Sequence, residues 1–191
     1  MNRVIFSLLW LMQILVVRAQ APQFKTIPGS HPSVGFNAAY TNYATDYFVQ
    51  KKDGTGFITK SKIHLDPAAG QYLIYNEYGS KEEKRIYTSE TTKISYEDRR
   101  IGKRIEGFAW DSCWLFKLLE GKITLYSNFP PPTTLANETV FAMKIGDGPI
   151  EIFSPEKLRA AVEGNKAATE AFDKKYWQNN YLKAAQKFNK D

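Results

Sequence analysis

Between Tyr47 and Phe153, short runs rich in β-branched and aromatic residues alternate with turn signals, and at Ser154 this pattern gives way to helical spacing. A block of strands followed by a block of helices restricts the fold to α+β. Strands are expected at Tyr47-Phe48-Val49, Phe57 to Leu65, Gln71 to Asn76, Lys84 to Ser89 and Thr92 to Tyr96. More follow at Arg104 to Trp110, Cys113 to Leu119, Lys122 to Ser127, Val140 to Ile145 and Ile150 to Phe153. Lys52-Asp53-Gly54, Asp66 to Gly70, Gly79-Ser80, Glu97 to Lys103, Glu120-Gly121 and Gly146-Asp147-Gly148 supply the turns between them. Pro130-Pro131-Pro132 forces an extended, unpaired link. The expected architecture is an antiparallel β-meander with helices packed on one face. A barrel-like closure of the strands, with the helices as a tail, is the alternative.

The helical segment is expected over 155–189. Ser154 is suited to cap it, Pro155 to begin it and Glu156 to face its positive end. Phe153 and Leu158 stand where a hydrophobic staple places them. Gly164-Asn165 ends a first helix, Lys166 to Trp177 forms a second and Asn180 to Asn189 a third. Phe172, Tyr176, Tyr181, Ala185 and Phe188 recur at helical spacing, as a face packed on the sheet would.

The start of the chain has another character. Met1-Asn2-Arg3 is positively charged, Val4 to Val17 is apolar apart from Ser7 and Gln13, and Val17-Arg18-Ala19 places small residues before Gln20. That is the layout of a signal peptide over residues 1–19, cut after Ala19. The apolar run falls short of the roughly 20 residues a spanning helix needs. Residues 20–45 read as an irregular segment and 46–191 as a single β-rich domain. Export to the periplasm or the medium is therefore the expected localisation, with membrane contact only during export.

Cys113 is the only cysteine, so no internal disulfide can form, which suits a bacterial envelope protein better than a secreted eukaryotic one. In its apolar setting, Trp110 to Phe116, it reads as a buried small hydrophobe rather than a reactive thiol. The formal charge of +6 becomes +4 without Arg3 and Arg18. That mild excess gives no reason to expect nucleic acid as a partner, although it is compatible with anionic lipids or glycans.

No pattern in the chain specifies a catalytic site, a metal site or a cofactor. His31 lies among prolines, and His64 alternates with Lys60 and Lys62 as a solvent-facing residue would. A Cys113–His64 nucleophile pair has nothing in the sequence to favour it. Asp111, Glu106, Glu120, Glu138 and Glu151 offer acids on or beside strands, as a carboxylate hydrolase would require, but half-exposed strands carry such residues in any case. Asp111, between Trp110 and Trp114, invites inspection first, because an acid between indoles would have a raised pKa. Arg99-Arg100 and Lys103-Arg104 gather positive charge around one turn, although Glu97 and Asp98 partly offset it. Trp110, Asp111, Trp114, Arg99, Arg100, Lys103 and Arg104 together make up the candidate binding surface. Tyr72, Tyr75, Tyr78, Tyr87 and Tyr96 add aromatic faces suited either to a platform for glycan or protein or to the core.

The stretch from Thr92 to Tyr126 contains Ile94-Ser95-Tyr96, Ile105-Glu106-Gly107 and the hairpin Leu118-Leu119-Glu120-Gly121-Lys122-Ile123-Thr124-Leu125-Tyr126. With the helical ending at Phe188-Asn189 and the glutamine after the cleavage site, it resembles small exported proteins of unknown function from Bacteroidetes. The likeness covers about half of the mature chain. It implies export and a β-rich architecture with a helical end, and it brings no activity. The expected function is a non-enzymatic binding or interaction module of the cell envelope, its partner an envelope protein, a glycan or a small apolar ligand. The alternatives are a carrier with a barrel-like cavity for a small hydrophobic ligand, and a carboxylate-based hydrolase.

Overall fold

The computed structural model describes residues 42–99, 101–131, 139–174 and 179–191. The signal peptide expected at 1–19, His31, Arg100, Glu138 and Tyr176 lie outside the described residues. The strands are β1 (Thr45–Lys51), β2 (Gly56–Ser61), β3 (His64–Asp66), β4 (Gly70–Asn76), β5 (Glu83–Tyr87), β6 (Thr91–Asp98), β7 (Lys103–Trp110), β8 (Cys113–Leu119), β9 (Ile123–Ser127), β10 (Ala142–Ile145) and β11 (Glu151–Ile152). The helices are α1 (Pro155–Val162), α2 (Lys166–Phe172) and α3 (Asn180–Phe188). The fold is α+β.

Eight strands form one antiparallel sheet in the order β11-β10-β9-β8-β7-β6-β1-β2, and β3-β4-β5 form a second, smaller sheet. From β6 to β11 each strand pairs with the next, which is a meander. Its outer strands, β2 and β11, do not meet, so the sheet is open and the barrel alternative does not apply. Among the described residues no helix is long and apolar enough to cross a membrane.

The run from Phe57 to Leu65, expected as one strand, divides between the two sheets. β2 pairs with β1, whereas β3 pairs with β4. At the break, the Asn42 side chain takes both main-chain groups of Ile63: its Nδ2 donates to the carbonyl at 2.7 Å, and its Oδ1 accepts from the N–H at 3.0 Å. Beyond the end of β3, side chains of β2 continue the pairing. Thr59 Oγ1 donates to the Ile74 carbonyl at 2.9 Å, and the Ile74 N–H donates to Ser61 Oγ at 3.0 Å. The buried backbone thus stays paired although the chain changes sheets.

One face of the large sheet is covered in two halves. The small sheet lies over the first half, where Tyr47, Val49, Ile63, Leu73, Ile86, Ile94, Trp114 and Phe116 form a core cluster, each at most 2% exposed. The helices lie over the second half, where Leu158, Val162, Ala168, Leu182 and Ala185 pack on Ile123, Leu125 and Met143. Phe172, Tyr181 and Phe188 flank that packing, as their spacing predicts. Burying side chains of this size contributes roughly 1.5–3 kcal/mol each.

Gln71 ties the small sheet to the large one. Its Oε1 accepts from the Trp114 N–H at 2.9 Å, and its Nε2 donates to the Asn128 carbonyl at 2.7 Å. Trp114 Nε1 donates to Thr91 Oγ1 at 2.9 Å, which leaves the indole satisfied inside the core. Gly70 has a φ of +90°, and a Cβ there would come within 2.3 Å of the Ser112 carbonyl oxygen. Only glycine lets the two turns approach that closely.

The helix start at Ser154 follows from local chemistry. Ser154 Oγ accepts from the Lys157 N–H at 3.2 Å, and Phe153 packs in the same cluster as Leu158. α2 ends at Phe172, short of the expected Trp177, and residues 175–178 are outside the description. At the far end of α3, the Asn189 amide repeats the Asn42 device. Its Oδ1 accepts from the Ile123 N–H at 2.8 Å, and its Nδ2 donates to the Ile123 carbonyl at 2.8 Å. The hairpin of Gly121-Lys122-Ile123 and the terminal Phe188-Asn189, far apart in sequence, are therefore in direct contact.

Candidate functional site

Among the described residues, the opposite face of the large sheet carries neither helices nor the small sheet, and its side chains follow the strand register. Phe48 pairs with Ile58 and Ser95, Ser95 with Glu106, and Glu97 with Arg104. Arg104 is held in place by this arrangement. Its Nε and Nη2 donate to Ser95 Oγ at 3.0 and 2.7 Å, and its guanidinium lies 5.5 Å from the centre of the Phe48 ring. Nη1 takes no part in the Ser95 bonds. Glu106 Oε1 lies 3.1 Å from Lys93 Nζ and 3.7 Å from Arg104 Nε. These exposed ion pairs add little stability, but they set the charge pattern of the face.

Two hollows adjoin where β1 begins and β6 ends. One, of about 410 Å³, lies over Phe48, Ile58 and Ser95 and is edged by Asp46, Lys60 and Arg104. The other, of about 340 Å³, lies at the same strand ends on the side of Tyr47, opposite Phe48, and is lined by Tyr43, Tyr47, Asp98, Pro130 and Pro131. Thr45, Tyr96, Glu97 and Arg99 line both. Both volumes fall in the range of roughly 300–1,000 Å³ usual for ligand clefts. Tyr47 and Tyr96 meet edge to face, with ring centres 5.7 Å apart. Burial, and after it the Tyr96 phenol, pushes the Tyr47 phenol well above its usual pKa, so Tyr47 remains a neutral hydroxyl. The cleft offers guanidinium and ammonium donors, carboxylate acceptors and aromatic surface. That set of groups is chemically suited to a polar ligand.

The residues expected to share a binding surface do not form one. Arg99 and Arg104 line the cleft, Lys103 is exposed at the start of β7, and Arg100 lies outside the described residues. Trp110 stands at the other end of β7, about 23 Å from Lys103 at roughly 3.3 Å per residue. It is half-buried in a patch with Phe108, Phe141 and Ile150 around Cys113, Leu115, Tyr126 and Ala142. Asp111 is exposed in the two-residue turn that follows, with a φ of +50°.

Trp114 is the clear correction: it is fully buried in the core on the other face of the sheet. Trp110 pairs with Cys113, so their side chains share one face and the next residue turns to the other. The two indoles do not enclose Asp111. Cys113 is 5% exposed, and its thiol is pushed up to about 12, first by burial and then by the nearby Asp111 charge, as expected of a buried hydrophobe.

The remaining candidates are engaged elsewhere. His64 does not simply face solvent among lysines; it stacks on Tyr72 at 5.0 Å, Tyr72 meets Tyr87 at 5.4 Å, and Arg85 lies 4.9 Å from the Tyr72 ring centre. These rings occupy one another's faces, so they make a poor stacking platform for a sugar. Glu106, Glu120 and Glu151 are each held by a lysine (Lys93, Lys117 and Lys157) rather than set opposite a second acid. Tyr96, one of the tyrosines the sequence offers as a platform or as core, lines both hollows, whereas nothing in the sequence marks Phe48, Asp46 or Tyr43 as cleft residues. Alternation along β1 marks Phe48 as the odd residue opposite Tyr47 and Val49, but only the register reveals its neighbours. No protein-family model matches this sequence, and no curated protein or solved structure shows significant similarity to it.

Proposed function

We propose that this chain is an exported, non-enzymatic binding module that takes a polar partner in the cleft around Arg99. One observation carries the reading: two hollows of ligand size meet at Arg99, and beside them Ser95 and Phe48 fix Arg104 as a ready donor. A donor fixed before binding loses little freedom when a ligand arrives. The mixture of charged and aromatic groups favours a glycan or a polar segment of an envelope protein over an apolar ligand. The open sheet and its filled inner face weigh against an apolar carrier. The leader-like start and the likeness to small exported proteins from Bacteroidetes support export to the periplasm or the medium.

The test is native mass spectrometry of the mature protein recovered from its host, beside the double variant Arg99→Glu/Arg104→Glu. A defined extra mass or a second protein on the wild type, absent from the variant, is the expected result. The same adduct on both forms moves the site elsewhere, and a bare monomer in both would overturn stable binding.

A further inference from the structure

We propose that the hollow between α2 and α3 binds a phosphate group, independently of the cleft on the sheet. The hollow measures about 360 Å³ and is lined by Lys174 from α2's end and by Lys183, Lys187 and Lys190 from α3 and its end. On α3, Lys183 and Lys187 are four residues apart and share one face, away from the face that buries Leu182 and Ala185, and Lys190 lies two residues past the helix end. Ala167 and Ala171 also line the hollow, and such short side chains leave room for an anion.

Charge in the helical segment is concentrated at this hollow. Residues 155–191 carry eight Lys and Arg against five Asp and Glu, a surplus of three, whereas residues 20–154 carry sixteen against fifteen. Of those five acids, only Glu170 lines the hollow. Asp173 holds Arg159 at 3.3 Å, Asp191 accepts from Asn165, Glu156 accepts from Ser154, and Glu163 borders a different hollow.

The helix dipole alone does not account for the arrangement. It favours Lys187 and Lys190 at the C-terminal end of α3, but it disfavours Lys183 near the N-terminal end, and Lys174 belongs to another element. The ligand chemistry follows from the residue type. Ammonium groups act as point charges and suit a tetrahedral, multiply charged anion, whereas a planar carboxylate is better met by the fork of an arginine, and no arginine lines this hollow.

The test measures two probes on the mature chain at low salt. One is inorganic pyrophosphate, followed by calorimetry. The other is sedimentation with vesicles of phosphatidylglycerol mixed with phosphatidylcholine, against phosphatidylcholine alone. Lys183→Gln/Lys187→Gln is compared with Lys81→Gln/Lys122→Gln, which loses the same charge from exposed turns, and circular dichroism verifies that both remain folded. Two lysines at an anionic surface account for roughly 30-fold in affinity, so the hollow variant should lose that much and the control far less. Binding of pyrophosphate identifies a soluble phosphate compound as the ligand, and binding of the anionic vesicles alone identifies a lipid headgroup. The proposal is overturned if the wild type binds neither probe, or if the two variants lose binding equally.

Discussion

Replacing Asn189 by alanine removes the amide that joins the end of α3 to the start of β9. The side chain makes bonds of 2.8 Å with both the N–H and the carbonyl of Ile123, and a longer one of 3.4 Å with the Glu120 carbonyl. Ile123 is fully buried, so its N–H loses its partner where water enters poorly. An orphaned buried donor costs about 1–3 kcal/mol, and the carbonyl, with its second lone pair, costs less. Glu120 is exposed, and water replaces its bond. The expected loss is about 2 kcal/mol, or a fall in Tm of about 4–8 °C for a chain of this size.

The assay is urea and thermal unfolding of residues 20–191, followed by circular dichroism. Asn189→Asp serves as the control. Its carboxylate still accepts from the Ile123 N–H but faces two carbonyls, which raises its folded pKa above the unfolded value of about 3.9. Its stability relative to the wild type should therefore be best in acid and should fall as pH rises through the folded pKa. If Asn189→Ala unfolds within about 0.5 kcal/mol of the wild type, water replaces the amide and the argument fails.

Other outcomes follow from the same geometry. Trp114→Ala should cost about 3–5 kcal/mol in urea unfolding, because it empties the space between the sheets and takes from Thr91 its indole partner, while the main-chain N–H at 114 still donates to Gln71. Gly70→Ala should cost more than about 2 kcal/mol, since the new Cβ meets the Ser112 carbonyl at a φ of +90°; an unchanged unfolding midpoint would mean that the two turns can part freely. Cys113 should resist a thiol reagent at pH 8 until the protein is denatured. Its folded pKa of about 12 lies above the ordinary 9.0, so its contribution to stability is complete below pH 9 and is lost between pH 9 and 12, which titration of the unfolding midpoint against a Cys113→Ser variant would reveal.

Much of the local structure was legible in the sequence because its causes are local. Ser154-Pro155 caps and starts a helix by itself, and Glu120-Gly121 and Gly146-Asp147-Gly148 turn the chain where they stand. Even the placement of Trp114 was within reach. Once Asp111-Ser112 is taken as a two-residue turn, Trp110 and Cys113 must share a face and Trp114 must take the other. Proximity in sequence groups Trp110 with Trp114, but in a strand adjacent residues point apart.

The candidate cleft was not legible. Arg99 and Arg104 stood out through their charge, and Ser95 reaches Arg104 through the local β6–β7 hairpin, but Phe48 becomes their neighbour only when β1 inserts beside β6, more than forty residues later in the chain. By itself the sequence determined the succession of strands and then helices, the turns, the caps and the apolar stripe of α3, since each depends on residues a few positions apart. The tertiary structure alone decided where the run from Phe57 to Leu65 breaks between two sheets and that the large sheet stays open. It also decided which half of that sheet each layer covers, and that Asn42 and Asn189 close distant backbone gaps. Those outcomes depend on pairing between segments far apart in the chain, where a strand's alternation specifies two faces but not what lies against either of them.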